Sequence, residues 1–196
     1  MLPWNDWYHG TIHTYGTWLR GDPRGWRSRH HREHVDGDYK KPPPKGKYDA
    51  LFEYSRTLMK RDPVRIEREL REFVLGALID KLVEKQIPVT IGSLDGIHGH
   101  LLLQCLDHEP RHWLGLAKKH ASHLVRQLGL LDPGGLWGKG SHPEPIEDEP
   151  HFHNSFGYIR DHAKRGAVVI VPVMPRLRRL SMSDFDPASL SLRPRR

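Results

Sequence analysis

The stretch PVTIGSLDGIHGHLLLQCL, residues 88–106, decides the fold of this chain. Apolar and β-branched residues flank Asp95 and Gly96, a dipeptide that is typical of the tight turn of a β-hairpin. We therefore predict two antiparallel strands joined by this turn. Because side chains alternate along a strand, we expect His98 and His100 to point to the same face of the sheet.

The residues on either side of the hairpin predict helices and further strands. Apolar residues recur at three- and four-residue steps from Val64 to Leu82, which indicates an amphipathic helix that ends before Pro88. In all, we predict strands over residues 7–19, 88–94, 98–106, 136–146 and 167–173, and helices over residues 49–60, 64–87, 110–129 and 151–166. This order is typical of an α+β fold, with a ferredoxin-like or RRM-like antiparallel sheet and helices packed on one face.

A chain of 196 residues fits one domain, which we place at residues 1–171, followed by a basic tail at residues 172–196. The domain includes a basic, proline-rich loop at residues 20–48. The net charge of +7 is concentrated: residues 17–47 hold nine Lys or Arg against four Asp or Glu, and residues 176–196 hold six against two. This distribution predicts arms that grip a polyanion, although solvated surface charge explains it equally well.

The composition also limits where the protein works. No apolar run approaches the ~20 residues of a membrane span, and the first residues lack the pattern of a secretory signal. The single cysteine, Cys105, has no partner for an internal disulfide, and we expect it in the core. These features predict a cytoplasmic protein that makes no contact with a membrane.

Two groups of residues are candidates for chemistry. His98 and His100 place two imidazoles on one face, which is half of a metal site, although a hydrogen-bonded or exposed pair is the simpler interpretation in a chain with fifteen histidines. Tyr158 and His162 are four residues apart and share one face of a helix, where the alternative is a surface tyrosine with solvated neighbours. Weaker metal candidates, on the first strand, are His9 and His13.

Basic residues in three regions are candidates for DNA contact. In the loop, arginines alternate with Trp18 and Trp26, so phosphate contacts and base stacking can combine as in single-strand-binding proteins. Two lysines lie on the helix predicted over residues 110–129, and one arginine follows Tyr158. Solvated charge explains each of them equally well. The candidates are Arg24, Arg27, Lys118, Lys119 and Arg165.

The histidine pair on a strand, followed later by Tyr-x-x-x-His on a helix, resembles the HUH-type single-tyrosine transposases. The REP-associated tyrosine transposase branch of that family is the most similar. Three further stretches are typical of these proteins in the same order: HTYGTWLRGDPRGW, LWGKGSHPEPI and YIRDHAKRGAVV. The resemblance covers most of residues 7–171 and leaves the tail outside.

The resemblance implies a transposase-type DNA endonuclease and strand transferase that cuts and rejoins single-stranded or hairpin DNA. Tyr158 would be the nucleophile and would form a 5′-phosphotyrosine intermediate. His98 and His100 would bind a divalent ion, Mg²⁺ or Mn²⁺, with His162 as the third ligand. Related transposases are often dimers, so a homodimer is also implied.

Three positions depart from the pattern of that family. His162 stands where Gln or Asn is usual, and three imidazoles suit Mn²⁺ or a later divalent ion better than Mg²⁺. Gly99 stands where a bulky apolar residue is usual, so we expect a gap in the core layer behind the histidines. Ala163 replaces a frequent Pro and should be neutral. Two alternatives therefore stay open: a catalytically inactive nucleic-acid-binding descendant of the same fold, or a histidine-rich metal-binding protein.

Overall fold

The computed structural model describes residues 4–26, 33–37, 41–131 and 134–172. Within these ranges the chain forms five strands, four α-helices and one 3-10 helix. In chain order they are β1 (Trp7–His13), α1 (Asp49–Thr57), α2 (Arg68–Glu84), β2 (Val89–Leu94), β3 (His98–Gln104), α3 (Pro110–Gln127), β4 (His142–Pro145), α4 (Glu149–Asp161), the 3-10 helix (His162–Arg165) and β5 (Val168–Ile170).

The strands form one antiparallel sheet in the order β4-β1-β3-β2-β5. The first four strands in this order are those of the βαββαβ arrangement of ferredoxin-like folds, in which α2 connects β1 to β2 and α3 connects β3 to β4. β5 is added at the edge beside β2. The predicted α+β class and ferredoxin-like sheet are confirmed.

The helices cover both faces of the sheet rather than one. On the first face, Leu101 and Leu103 of β3 are buried in a large apolar cluster with side chains of α2 and α3. On the second face, Leu102 packs with Ile159 of α4 in a smaller cluster. Because neighbouring residues of a strand point to opposite faces, α4 lies across the sheet from the other two helices. This second face is the one that His98 and His100 share.

The predicted hairpin is confirmed, and Asp95 explains the shape of its turn. The Asp95 Oδ1 atom accepts hydrogen bonds from the backbone N–H groups of Ile97 and His98, both at 2.7 Å. The Asp95 N–H donates to the His98 carbonyl at 3.0 Å. A side chain that satisfies the turn in this way fixes where the second strand begins.

Most predicted elements are shorter in the structure, including the strand predicted over residues 136–146, which is limited to His142–Pro145. Two of them are shortened where the chain turns or binds other loops. The first strand ends at His13 rather than at residue 19, since the chain turns at Gly16 with a φ of 72°. The helix predicted from Val64 begins at Arg68. The Val64 N–H donates to the Tyr15 carbonyl and the Ile66 N–H donates to the Gly96 carbonyl, both at 2.8 Å, so this segment is held in a loop conformation.

The expected gap behind the histidines is absent, and that prediction was wrong. An ideal Cβ atom on Gly99 would lie 3.0 Å from Leu94 Cδ1 and 3.4 Å from Ile12 Cγ1. Both of these side chains are fully buried. Leucine and isoleucine from the two neighbouring strands therefore fill the space that a side chain at position 99 would occupy.

Part of the basic loop is folded against the domain. Trp26 and Val35 are buried, and the Val35 N–H donates to the Trp26 carbonyl at 3.2 Å. Residues 27–32 and 38–40 of the loop and residues 173–196 of the tail lie outside the described residues. No helix in the described ranges is long and apolar enough to cross a membrane.

Candidate metal centre

His98, His100 and His162 come together on the second face of the sheet. One ring nitrogen of each histidine lies within 4.8 Å of the others. The first two project from β3, and His162 opens the 3-10 helix that follows α4. Metal–imidazole bonds of about 2.1 Å let two ligands of one ion lie up to ~4.2 Å apart. Small rotations of the side chains are therefore enough to bring these nitrogens around one ion.

Each of the three rings has a hydrogen-bond partner at Nδ1. His98 Nδ1 lies 2.7 Å from an Asp95 carboxylate oxygen, and His162 Nδ1 lies 2.9 Å from the Tyr158 carbonyl oxygen. A carboxylate and a carbonyl only accept hydrogen bonds, so both Nδ1 atoms carry the proton. The Nε2 atoms of these two rings consequently keep their lone pairs, as a metal ligand must.

His100 completes the arrangement from the centre of the sheet. Its Nδ1 atom lies 3.0 Å from His9 Nε2 and 3.2 Å from Thr11 Oγ1. Its Nε2 atom is buried and has no hydrogen-bond partner among the described residues. Ser93, the cross-strand neighbour of His100 on β2, has a buried hydroxyl in the same condition. Buried polar atoms normally have partners, so an unpaired imidazole nitrogen here fits a metal-binding role.

Burial keeps the centre of this cluster neutral. Burial, reinforced by the neighbouring histidines, lowers the pKa of His100 to about 2. Burial likewise lowers the pKa of His9 to about 4. Burial alone would raise the pKa of Asp95, but the hydrogen bonds from the His98 side chain and two backbone N–H groups outweigh it and hold that pKa well below its usual range. A negative carboxylate beside His98 and neutral imidazoles at His9 and His100 favour a bound cation.

Tyr158 lies beside the histidine cluster within the same chain. Its ring centroid is 4.7 Å from that of His162 and 5.4 Å from that of His100, both in edge-on arrangements. The His9 ring is 5.8 Å away. The side chain of Tyr158 is nevertheless 47% exposed, so one side of it faces solvent. A partly exposed phenol thus stands beside a cluster in which His98 is half-buried and the other two histidines are buried.

The predicted DNA-contacting residues have different surroundings. Lys119 and Arg165 are exposed, and Arg27 lies outside the described residues. The Arg24 guanidinium forms an ion pair with Asp22 at 2.6 Å and lies 4.8 Å from the centre of the Trp18 ring. The loop arginine and tryptophan therefore contact each other.

The prediction that Lys118 faces DNA does not agree with its position in the structure. Its side chain is buried, and its Nζ atom donates to the carbonyl oxygens of Gly138, at 2.9 Å, and Gly140. Burial lowers its pKa to about 8. The lysine fastens the loop before β4 to α3, and a buried ammonium with two carbonyl partners is not placed for contact with a phosphate.

Sequence reasoning missed the residues that surround the three histidines. Asp95 was assigned only to the turn, and His9 and Thr11 were not recognised as partners of His100. A signal existed for His9 and Thr11, because the alternating residues of β1 share a face and Thr11 lies directly opposite His100. His13 pairs with His98 across the same strands and stacks on Trp18. Neither His9 nor His13 belongs to the three-histidine group.

No family model, curated protein or solved structure matches this chain. The resemblance to the HUH-type transposases therefore stays a prediction that rests on motifs in the sequence. Any conclusion about function depends on the three histidines, their hydrogen-bond partners and Tyr158.

Proposed function

We propose that the protein is a metal-dependent DNA endonuclease and strand transferase, in which Tyr158 attacks a phosphodiester beside an ion held by His98, His100 and His162. One observation supports it above all. Three imidazole nitrogens converge next to a half-exposed tyrosine on a single face of the sheet. A histidine-rich metal-binding protein needs the imidazoles but has no use for the phenol at that place.

The donor set indicates which ions would bind. Every candidate ligand is an imidazole, and none of the three is a carboxylate. Imidazole suits first-row transition ions, whereas Mg²⁺ prefers oxygen ligands and retains its water. We therefore expect Mn²⁺, Co²⁺ or Zn²⁺ to bind more tightly than Mg²⁺. The chemistry that such an ion supplies is Lewis acidity at a non-bridging oxygen of the phosphate.

The residues of the chain account for the remaining part of the reaction. The Tyr158 oxygen forms a bond to phosphorus while the bond between phosphorus and the 3′ oxygen breaks. The departing 3′ oxygen takes a proton from water, and the phenol releases its proton to the solvent that reaches its exposed side. The downstream strand stays attached to Tyr158 through its 5′ phosphate. A phenol suits this role because its pKa of about 10 lets it serve both as a nucleophile and as a leaving group when the strand is rejoined.

The proposed substrate is single-stranded or hairpin DNA, since the basic loop and tail offer cations for an extended backbone. Lys119 and Arg165 are exposed and available for phosphate contacts. The homodimer that the resemblance implies stays a prediction, which light scattering of the purified protein can measure.

The decisive experiment detects the covalent intermediate. The protein is incubated with Mn²⁺ or Mg²⁺ and with single-stranded and hairpin oligonucleotides that carry a fluorophore at the 3′ end. A 5′-phosphotyrosine adduct moves the fluorophore to the size of the protein on a denaturing gel. We expect this adduct with the wild type, and we expect none after addition of a chelator.

Variants locate the adduct and separate the alternatives. Tyr158→Phe should abolish it, whereas Tyr54→Phe, which alters a 61% exposed tyrosine on α1, should leave it unchanged. Metal-dependent DNA binding without an adduct would instead indicate an inactive nucleic-acid-binding protein. Metal binding with no affinity for DNA would indicate a histidine-rich metal-binding protein and would refute the proposal.

A further inference from the structure

The Nδ1 atom of His100 lies within hydrogen-bond distance of two side chains of β1. His9 Nε2 and Thr11 Oγ1 lie 3.0 Å and 3.2 Å from His100 Nδ1. Both side chains project from the strand that pairs with β3, with Thr11 directly opposite His100. They therefore occupy the Nδ1 side of the imidazole and leave Nε2 as the nitrogen that can bind a metal.

The partners of His100 differ in kind from those of the other two ligands. A carboxylate and a carbonyl, which only accept, fix the tautomers of His98 and His162. A histidine ring and a hydroxyl can each donate or accept, so His100 has two available tautomers. With the proton on Nε2, a buried N–H would lack an acceptor among the described residues, an unfavourable arrangement because the donor has lost its water without gaining a partner. With the proton on Nδ1, the N–H has His9 Nε2 and Thr11 Oγ1 as acceptors.

The second arrangement also suits the surroundings of His9. When His9 Nε2 accepts, the neutral His9 ring carries its own proton on Nδ1. Glu144 of β4 lies directly opposite His9, so a carboxylate stands on the same face beside that ring. Both rings are then in complementary tautomers, and the buried Nε2 atom of His100 keeps a lone pair that no described residue uses.

We infer that His9 and Thr11 are positioning residues, which hold His100 in the tautomer and orientation that present its Nε2 atom to the metal. The inference rests on the proposed metal site, and it gives His9 a role behind a ligand rather than as a ligand. Removing such an outer partner typically weakens metal binding about 10- to 100-fold. The loss should appear in metal affinity itself, before any reaction with DNA.

Titration with Co²⁺ alone tests the inference, since the visible absorption of bound Co²⁺ reports affinity, stoichiometry and geometry. His9→Leu keeps most of the volume and removes the acceptor, and it should raise the Kd for Co²⁺ about 10- to 100-fold. His9→Gln keeps an acceptor oxygen and should bind within a few-fold of the wild type. His153→Ala removes a histidine of α4 whose side chain is 69% exposed, and it should bind as the wild type does.

The outcomes separate this inference from the proposed function. If the wild type bound no Co²⁺, the metal site itself would be refuted. If the wild type bound Co²⁺ and His9→Leu bound it equally well, only the role of His9 would be refuted. A His9→Gln protein as weak as His9→Leu would also count against it. Circular dichroism of the metal-free proteins checks folding. If His9→Leu did not fold, Thr11→Val would replace it in the test and should bind Co²⁺ several-fold more weakly than the wild type. An unchanged Kd for Thr11→Val would overturn the inference.

Discussion

Gly99, between two of the proposed ligands, provides a direct test of how the core is packed behind the candidate metal centre. Its missing side chain would meet Leu94 Cδ1 and the Ser93 carbonyl oxygen at 3.0 Å each, and Ile12 Cγ1 at 3.4 Å. The carbonyl belongs to the paired strand β2 and is held by the sheet, so it cannot move aside as the end of a side chain can. We therefore expect Gly99→Ala to destabilise the protein.

The expected size of the effect follows from two opposing contributions. Extra atoms in a well-packed core cost about 1–3 kcal/mol. Replacing glycine in a strand returns about 0.5–1 kcal/mol, because the unfolded chain loses conformational freedom. The net loss for Gly99→Ala is then about 1 kcal/mol, which lowers the Tm of a protein of this size by about 2–4 °C. Gly99→Val, with two more carbon atoms at the same place, should lose more.

Urea denaturation followed by circular dichroism measures both variants against a control. Gly115, inside α3, has nothing within 4 Å of its missing side chain. Gly115→Ala should therefore stabilise the protein by about 1 kcal/mol, the usual gain for alanine over glycine in a helix. The two glycines are thus expected to change stability in opposite directions. A Gly99→Ala or Gly99→Val protein that was more stable than the wild type would reveal the gap that the sequence suggested and would refute the packing described here.

Three further predictions concern the groups around the candidate metal centre and on α3. Because burial lowers the pKa values of His9 and His13 to about 4 and that of His100 to about 2, the unfolded chain takes up protons below the ordinary value of 6.5 while the folded chain does not. The contribution of these histidines to the free energy of unfolding is therefore fully present above pH 6.5. It falls as the pH decreases, by up to about 1.4 kcal/mol per pH unit for each histidine. Equal urea midpoints at pH 7.5 and pH 5.5 would contradict this. Asp95→Asn keeps the acceptor for the turn but removes the charge beside His98. It should weaken Co²⁺ binding about tenfold with little change in Tm. An unchanged Kd would show that the Asp95 carboxylate does not support metal binding through His98. Lys118→Met removes the donor of the Gly138 and Gly140 carbonyls, so it should lower the free energy of unfolding in urea by about 1–3 kcal/mol. The affinity for single-stranded DNA should not change. A variant that stayed as stable as the wild type but lost DNA affinity would show that the lysine contacts DNA.

The parts of the fold that could be predicted are those that local patterns determine. Asp95 and Gly96 mark the hairpin turn, and strand alternation places His98 and His100 on one face. The four-residue spacing of Tyr158 and His162 likewise places both on one side of α4 and the 3-10 helix that continues it. These relations depend on backbone periodicity over a few residues, so the sequence alone contains them.

The failed predictions depend on contacts between distant segments. Gly99 suggested a gap because the residues that fill the space, Ile12 and Leu94, come from other strands. Lys118 has the appearance of a surface lysine because its carbonyl partners lie some twenty residues further along the chain, in the loop before β4. The face on which α4 packs was missed for the same reason, since its apolar stripe contains no information about which side of the sheet receives it.

The two halves of the candidate site differ in how they are held in place. β3 lies between β1 and β2, and its opposite face is buried in the main core, so the positions of His98 and His100 are fixed by the sheet. His162 and Tyr158 arrive together, because the His162 ring bonds the Tyr158 carbonyl one turn earlier. Arg71 of α2 links the two halves by donating to the carbonyls of Ile66, beside the hairpin turn, and of Gly166, after the 3-10 helix, both at 3.1 Å. Any shift of α4 against the sheet would consequently move the His162 and Tyr158 side chains as one unit, so a change that weakens metal binding from this side should also displace the proposed nucleophile.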